Sequence, residues 1–115
     1  MINHELLLML TSSGMGEGEP DLGEKLLGAF LKSLYDSGNH PEKIICMNSG
    51  IFLTTKGTYA EEIMKKFEDA GSEVLSCGTC LDYYNRKEKL IIGQRTNMND
   101  TVAAMVAYNK VISPR

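Results

Sequence analysis

The chain has 115 residues, with 12 Lys and Arg against 15 Asp and Glu and a formal net charge of −3. At 43% hydrophobic and 23% charged residues it has the composition of a folded globule, and one domain of this length buries roughly two thirds of its unfolded surface. The acidic balance with interspersed signs excludes a dedicated nucleic-acid face, and no apolar run approaches the roughly 18 residues of a membrane span.

The run from Glu5 to Thr11 is short and Leu-rich, follows an acidic residue and lacks a small-residue cleavage site. It reads as a buried strand rather than a signal peptide, and a cytoplasmic protein is expected. Ser12 to Pro20, with three glycines and a proline, reads as a loop. Asp21 with Glu24 resembles a capping box, and Leu22, Leu26, Leu27, Phe30, Leu31 and Leu34 recur at helical spacing, with Gly38 beyond the helix end. Lys43 to Met47 reads as a second strand, and Asn48 to Gly50 as a turn. Ile51 to Thr55 is either a half-turn or a short helical piece.

Helical spacing returns from Thr58, with Tyr59, Ile63, Met64 and Phe67 on one side, and Gly71 ends it. Glu73 to Ser76 is a third strand that delivers Cys77 at its end. Leu81 to Glu88 reads as a helix, Leu90 to Ile92 as a fourth strand extending towards Thr96, and Asn99 or Asp100 as the start of a last helix. Val102, Met105, Val106 and Tyr108 are expected to face inward, and Val111 with Ile112 forms a final strand. Alternating strands and helices imply right-handed crossovers, hence a single α/β domain over residues 1–115. Its architecture is a three-layer α/β/α sandwich around a mostly parallel sheet of about five strands. Reactive groups in such sheets lie beyond the carboxyl ends of the strands. Three loops converge there: Ser12 to Pro20, Asn48 to Leu53 (with Gly50), and Ser76 to Asp82.

Three cysteines are an odd number in a chain with no export signal, which argues against a disulfide framework. Cys77-Gly78-Thr79-Cys80 lies after a strand and before a helix, a moderately specific pattern for thiol, disulfide or persulfide chemistry. Backbone amides and the dipole at a helix start lower a thiol's pKa, which supplies the nucleophilic thiolate. Gly78 keeps the turn small enough for two sulfurs to approach. The competing readings are packing cysteines at a strand-to-helix corner, a dithiol oxidoreductase, and a zinc site completed across a subunit interface. One C-x-x-C supplies only two zinc ligands, so no metal is assigned within the chain. Cys46 reads as core.

The glycine loop lacks the Gly-Lys-Ser/Thr ending of a phosphate-binding loop, and its acidic residues would repel an anion, so no cofactor is assigned. Ser12 or Ser13 could hold that loop as a lid over the cysteines. Asp82 reads as a first-turn acid of a helix more readily than as a base, Tyr83 or Tyr84 could wall the site, and Arg86 and Lys87 read as solvated cations. His4 and His40 are expected at the surface.

The stretch Cys77-Gly78-Thr79-Cys80-Leu81-Asp82-Tyr83-Tyr84 resembles the DsrE/DsrF-like family, and more narrowly the C-terminal domain of YedF-type "selenium metabolism" proteins. Met47-Asn48-Ser49-Gly50, the glycine loop before Leu22-Gly23, and Thr96-Asn97-Met98 support the resemblance, which spans nearly the whole chain. It implies a sulfurtransferase-like persulfide carrier that exchanges sulfur, or selenium, with donor and acceptor proteins and assembles into oligomers. The carrier cysteine it implies is Cys77, with Cys80 as second candidate or resolving thiol. The N-terminal TusA-like domain usual in YedF-type proteins has no counterpart here, so a standalone version or a fragment is expected. A non-catalytic binding or assembly module with structural cysteines is the rival of a different class.

Overall fold

The computed structural model describes residues 1–115. Five strands, β1 (Ile2–Leu10), β2 (His40–Cys46), β3 (Glu73–Cys77), β4 (Gln94–Thr96) and β5 (Lys110–Ile112), form one parallel sheet in the order β4-β3-β2-β1-β5. Four α-helices connect them: α1 (Pro20–Asp36), α2 (Glu61–Asp69), α3 (Gly78–Tyr83) and α4 (Met98–Ala107). Two 3₁₀ segments, Asn48–Leu53 and Lys87–Lys89, complete the elements, which settles the Ile51–Thr55 region as helical in its first part. No helix is long and apolar enough to cross a membrane.

Alternation along the strands sorts the core into two layers. Leu8, Leu10, Ile44, Cys46 and Val74 face α1 and α2, where they meet Leu27, Leu31, Met64 and Phe67. Leu7, Met9, Ile45 and Leu75 face the other way, against Ala104 and Tyr108 at α4. The result is an α/β/α sandwich with one helix on its second face. The central strands are buried on both sides, which is why they read as unbroken apolar runs.

Several boundaries differ from the sequence reading, each for a local reason. β1 and β2 begin earlier, at Ile2 and His40, where they pair with each other. Helix α1 starts at Pro20, whose missing N–H costs nothing in the first turn. Its N-cap is Glu19, and the Asp21 carboxylate bonds the adjacent Leu22 amide rather than forming a capping box. Helix α2 starts at Glu61, so Tyr59 lies outside it, half exposed, with its hydroxyl donating to Ser13 O at 2.7 Å. Helix α3 stops at Tyr83 because Asn85 turns into the left-handed region (φ 58).

The fourth strand is Gln94–Thr96 and not Leu90–Ile92. Leu90 bridges antiparallel to Thr55, Ile92 turns into the core, and Gly93 (φ 76) crosses close against the Val74 carbonyl. Helix α4 is rotated from the expected orientation: Thr101 and Ala104 are buried, while Val102, Met105 and Val106 are exposed, Val106 to 81%. Two small residues let the helix sit close to the sheet, and the larger apolar side chains are turned outward.

His40 is buried, not at the surface. It stacks on Tyr35 at 4.4 Å between ring centroids, lies edge-on to Phe67, and its Nε2 is 3.0 Å from Tyr35 O. His4 is exposed and pairs with Glu42.

Candidate active site

β3 ends at Cys77, which occupies the N-cap position of α3 with extended backbone (φ −60°, ψ 122°). Three residues on, one helical turn brings Cys80 back beside it. The two side chains are neighbours, and all three cysteines of the chain are free thiols. Cys77 is only 5% exposed. Cys80 is the accessible sulfur: it lines an open cavity of about 380 Å³ with Asn48, Thr79, Tyr83 and Tyr84.

Asn48 is aimed at Cys80 by its backbone. It opens the 3₁₀ segment after β2 at φ 53, a left-handed conformation that asparagine tolerates. Its N–H donates to Cys80 Sγ at 3.0 Å, and its side-chain oxygen accepts from Tyr84 OH at 3.2 Å. Gly50 then lies against the Leu10 carbonyl, too close for any Cβ. Beneath it, Thr54 and Ser76 join through their hydroxyls at 2.7 Å, tying the segment to β3 just before Cys77. The segments after β2 and β3 are thus locked at the same end of the sheet.

Burial pushes the Cys80 thiol above its ordinary value; the Asn48 amide pulls it back, and the neighbouring Cys77 side chain pushes it up again. The helix-start expectation of a lowered thiol therefore does not hold for Cys80. Cys46 is different: complete burial pushes it up to about 12, as befits a core thiol.

Sequence reasoning missed Arg95. It lies on β4, where Ser76 pairs with Arg95 and Cys77 with Thr96. Its guanidinium rests on Gly78: a Cβ built there would lie 2.7 Å from Nε and 2.9 Å from Cζ. Nη1 and Nη2 donate to the two oxygens of Asp82 at 3.1 and 2.8 Å, a bidentate pair. Asp82 is therefore the partner of Arg95 in the second turn of α3 and not a first-turn acid. The Arg95 hydrogen bond holds the Asp82 carboxyl below its usual range. Only the β3–β4 pairing brings Arg95 to the cysteines, and the register of a three-residue strand is not visible in sequence.

The remaining candidates fall in three places. Asn48, Thr79 and Tyr83 wall the Cys80 cavity, Tyr83 being 82% exposed, and Gly78 and Gly50 make the close approaches described. Ser12 and Ser13 have other partners: Ser12 Oγ accepts from Gly14 N, and Ser13 N donates to Ser49 Oγ. They line two separate cavities, neither containing a cysteine. Arg86 lies over the Phe52 ring at 4.7 Å and donates to Lys56 O. A cavity of about 630 Å³ on the α4 face of the sheet contains no cysteine, although Arg95 reaches its rim. No group of three His, Cys, Asp or Glu side chains is arranged to hold a metal ion.

Comparison with known proteins gives similarity of fold. No family model matches the chain, and no curated protein matches it. Among solved structures, the YchN protein from E. coli superimposes with a TM-score of 0.62 at 16% identity, over 95% of this chain and 98% of that one. MTH1491, a protein of unknown function from Methanobacterium thermoautotrophicum, gives 0.70 at 8% identity, over 97% and 100%. BT1422, a conserved protein of unknown function from Bacteroides thetaiotaomicron, gives 0.63 at 15%, over 95% and 94%. The chain therefore shares a whole-domain α/β fold with these proteins.

Proposed function

We propose that the cysteine pair accepts a sulfane sulfur as a persulfide and passes it on, in the manner of DsrE-like and YedF-like relay proteins. The observation that carries this reading is the Asn48 amide donating to Cys80 Sγ at 3.0 Å at the mouth of a cavity, with the buried Cys77 one helical turn behind it. A receiving sulfur needs access and an anion-stabilising donor, and Cys80 has both. This favours Cys80 as the sulfur that meets the donor and Cys77 as its resolving partner, the reverse of the order drawn from the sequence motif.

In the loading step the Cys80 thiolate attacks the outer sulfur of a donor persulfide. A new S–S bond forms on Cys80, the donor's S–S bond breaks, and the donor leaves as a thiolate. The persulfide is then taken by an acceptor thiol in the same way. Alternatively, Cys77 thiolate attacks Cys80, closing the disulfide and expelling hydrosulfide. Donor and acceptor are proteins of the reducing cytoplasm. Self-association is part of the proposal, since α4 turns Val102, Met105 and Val106 to solvent. Selenium could travel on the same thiolate.

The test is intact mass after exposure to a cysteine desulfurase and cysteine, with and without reductant. A reductant-sensitive gain of one sulfur that is lost in Cys80→Ser supports the reading. Loss only in Cys77→Ser would reverse the two roles. A second reading, a dithiol redox module, draws on two free thiols set one helical turn apart at the start of α3. It predicts no sulfur gain and a loss of two hydrogens on mild oxidation.

A further inference from the structure

We propose that the basic corner formed by Lys56, Arg86, Lys87 and Lys89 is the docking surface of the sulfur donor, and that this donor is a protein carrying an acidic segment next to its reactive sulfur. The donor's identity rests on the persulfide reading; the surface does not, and its test uses no persulfide.

Four of the chain's 12 Lys and Arg meet in this corner, although only Arg86, Lys87 and Lys89 are close in sequence. The fold brings Lys56 to them. Thr55 bridges antiparallel to Leu90, the Lys56 N–H donates to Lys89 O at 2.8 Å, and the Ile91 N–H donates to Thr54 O at 2.9 Å. Arg86 Nη1 donates to Lys56 O at 3.1 Å and closes the corner. The backbone is therefore fixed while the three lysine side chains stay exposed. None of the four cations is ion-paired with an acid of the chain, whereas Lys32, Lys43, Lys65 and Arg95 all are. The acids nearby are Glu88 in the corner itself, Glu24 on a cavity of about 280 Å³ that Lys56 and Arg86 also line, and Asp82, which Lys87 acts on but Arg95 holds. The corner is thus a local positive field on a chain of net charge −3.

This corner adjoins the reactive sulfur. Arg86 lies over the Phe52 ring at 4.7 Å, Phe52 packs edge-on to Tyr84 at 4.8 Å, and Tyr84 lines the Cys80 cavity. One aromatic pair therefore joins the cations to the cavity. Tyr83, 82% exposed on the same cavity, adds the kind of aromatic anchor on which protein partners close. An acidic partner would meet the cations at the rim as its sulfur enters at Cys80, and rim charges act mainly on the rate of encounter. A nucleic acid fits less well: it needs an unbroken track of phosphate-contacting cations, and Glu24 and Glu88 interrupt this one.

The probe is a short peptide whose one cysteine, flanked by glutamates, is activated as a pyridyl disulfide. The Cys80 thiolate attacks the peptide sulfur, a mixed disulfide forms, and pyridine-2-thione leaves and is followed by its absorbance. Peptide mapping places the adduct on Cys80. The same peptide with glutamines in place of the glutamates is the reference, so the intrinsic reactivity of the thiol cancels. The acidic peptide is expected to react about tenfold faster than its reference at low salt, the lower end of electrostatic steering, and to lose the advantage near about 1 M salt, where screening acts within about 3 Å. Combining Lys56→Gln, Lys87→Gln and Lys89→Gln should reduce the ratio to about twofold or less. Combining Lys32→Gln, Lys65→Gln and Lys110→Gln removes the same charge elsewhere and should leave the ratio at its wild-type value. An acidic peptide no faster than its reference, or equal losses in the two triple variants, would overturn the proposal. So would a DNA oligonucleotide that competes better than the free acidic peptide. A chain that fails to load sulfur yet keeps the ratio retains the surface and loses only the persulfide of its partner.

Discussion

Replacing Gly50 by alanine tests how the Cys80 donor is held. A Cβ on Gly50 would fall inside the Leu10 carbonyl oxygen and lie 2.8 Å from the Leu10 carbonyl carbon. Neither atom is the end of a flexible side chain, so β1 or the 3₁₀ segment must move. Leu10 O also accepts the Met47 N–H at 3.0 Å, and Leu10 is buried. Overpacking costs about 1–3 kcal/mol, and leaving a buried hydrogen-bonding group unmet costs about 1–3 kcal/mol more. The expected loss is therefore about 2–6 kcal/mol, a large part of the roughly 5–15 kcal/mol that holds a domain folded. Urea unfolding followed by far-UV circular dichroism should show the midpoint fall with an unchanged slope. The surviving native fraction should also have altered Cys80 reactivity, because Asn48 is two residues away. A midpoint equal to wild type within about 0.5 kcal/mol, the usual scatter of surface substitutions, would refute the wedge.

Gly78→Ala should behave oppositely: the obstructing atoms belong to the movable end of Arg95, and alanine gains up to about 1 kcal/mol over glycine within a helix. Its urea midpoint should hold or rise while carbon NMR shows the Asp82 carboxyl returning to its ordinary range; a large destabilisation would count against that geometry. Native labelling with iodoacetamide should modify Cys80 first and leave Cys46 untouched until urea unfolds the chain, as peptide mapping would show. Equal labelling of Cys46 and Cys80 would contradict the burial that raises Cys46. The depressed Asp82 pKa also fixes a sign: the pair with Arg95 stabilises the fold above the unfolded carboxylate value, near pH 4, and this is lost as pH falls through the lower folded value. Asp82→Asn should therefore remove part of the acid-side decline in the urea midpoint. An identical pH profile would show that the pair contributes nothing.

The strands and the cysteine corner were legible because they depend on local pattern: apolar runs such as Leu6 to Leu10 and Ile44 to Cys46 can only be central strands, and β3 ends where Cys77 begins. What escaped depends on tertiary packing. Helix α4 carries apolar residues around much of its circumference, so the face chosen from Val102, Met105 and Val106 was the wrong one; the sheet chose Thr101 and Ala104 because small residues permit close approach. Leu90 to Ile92 has strand composition but is spent on a bridge to Thr55 and a turn into the core. His40 looked like a loop residue because it precedes Pro41, yet β2 starts there and Tyr35 covers its ring. Arg95 was invisible because its role comes from strand register and a glycine 17 positions earlier in the chain.

Because every strand runs the same way, the two ends of the chain lie at opposite ends of the strands, on the neighbouring β1 and β5. The amino group of Met1 is 3.4 Å from His40 Nδ1 at the start of β2, whereas Arg115 lines a cavity with Ser12 and Gly14 beyond the end of β1. Nine residues of β1, about 30 Å at roughly 3.3 Å each, separate the two ends. Tethering the protein to a surface by its N-terminus would point both cysteines outward, towards whatever approaches from solution. Tethering it through Arg115 would turn the carboxyl ends of the strands towards the support. Two immobilised forms of one sequence should thus differ in how readily a large donor reaches Cys80, while a small thiol reagent would scarcely distinguish them.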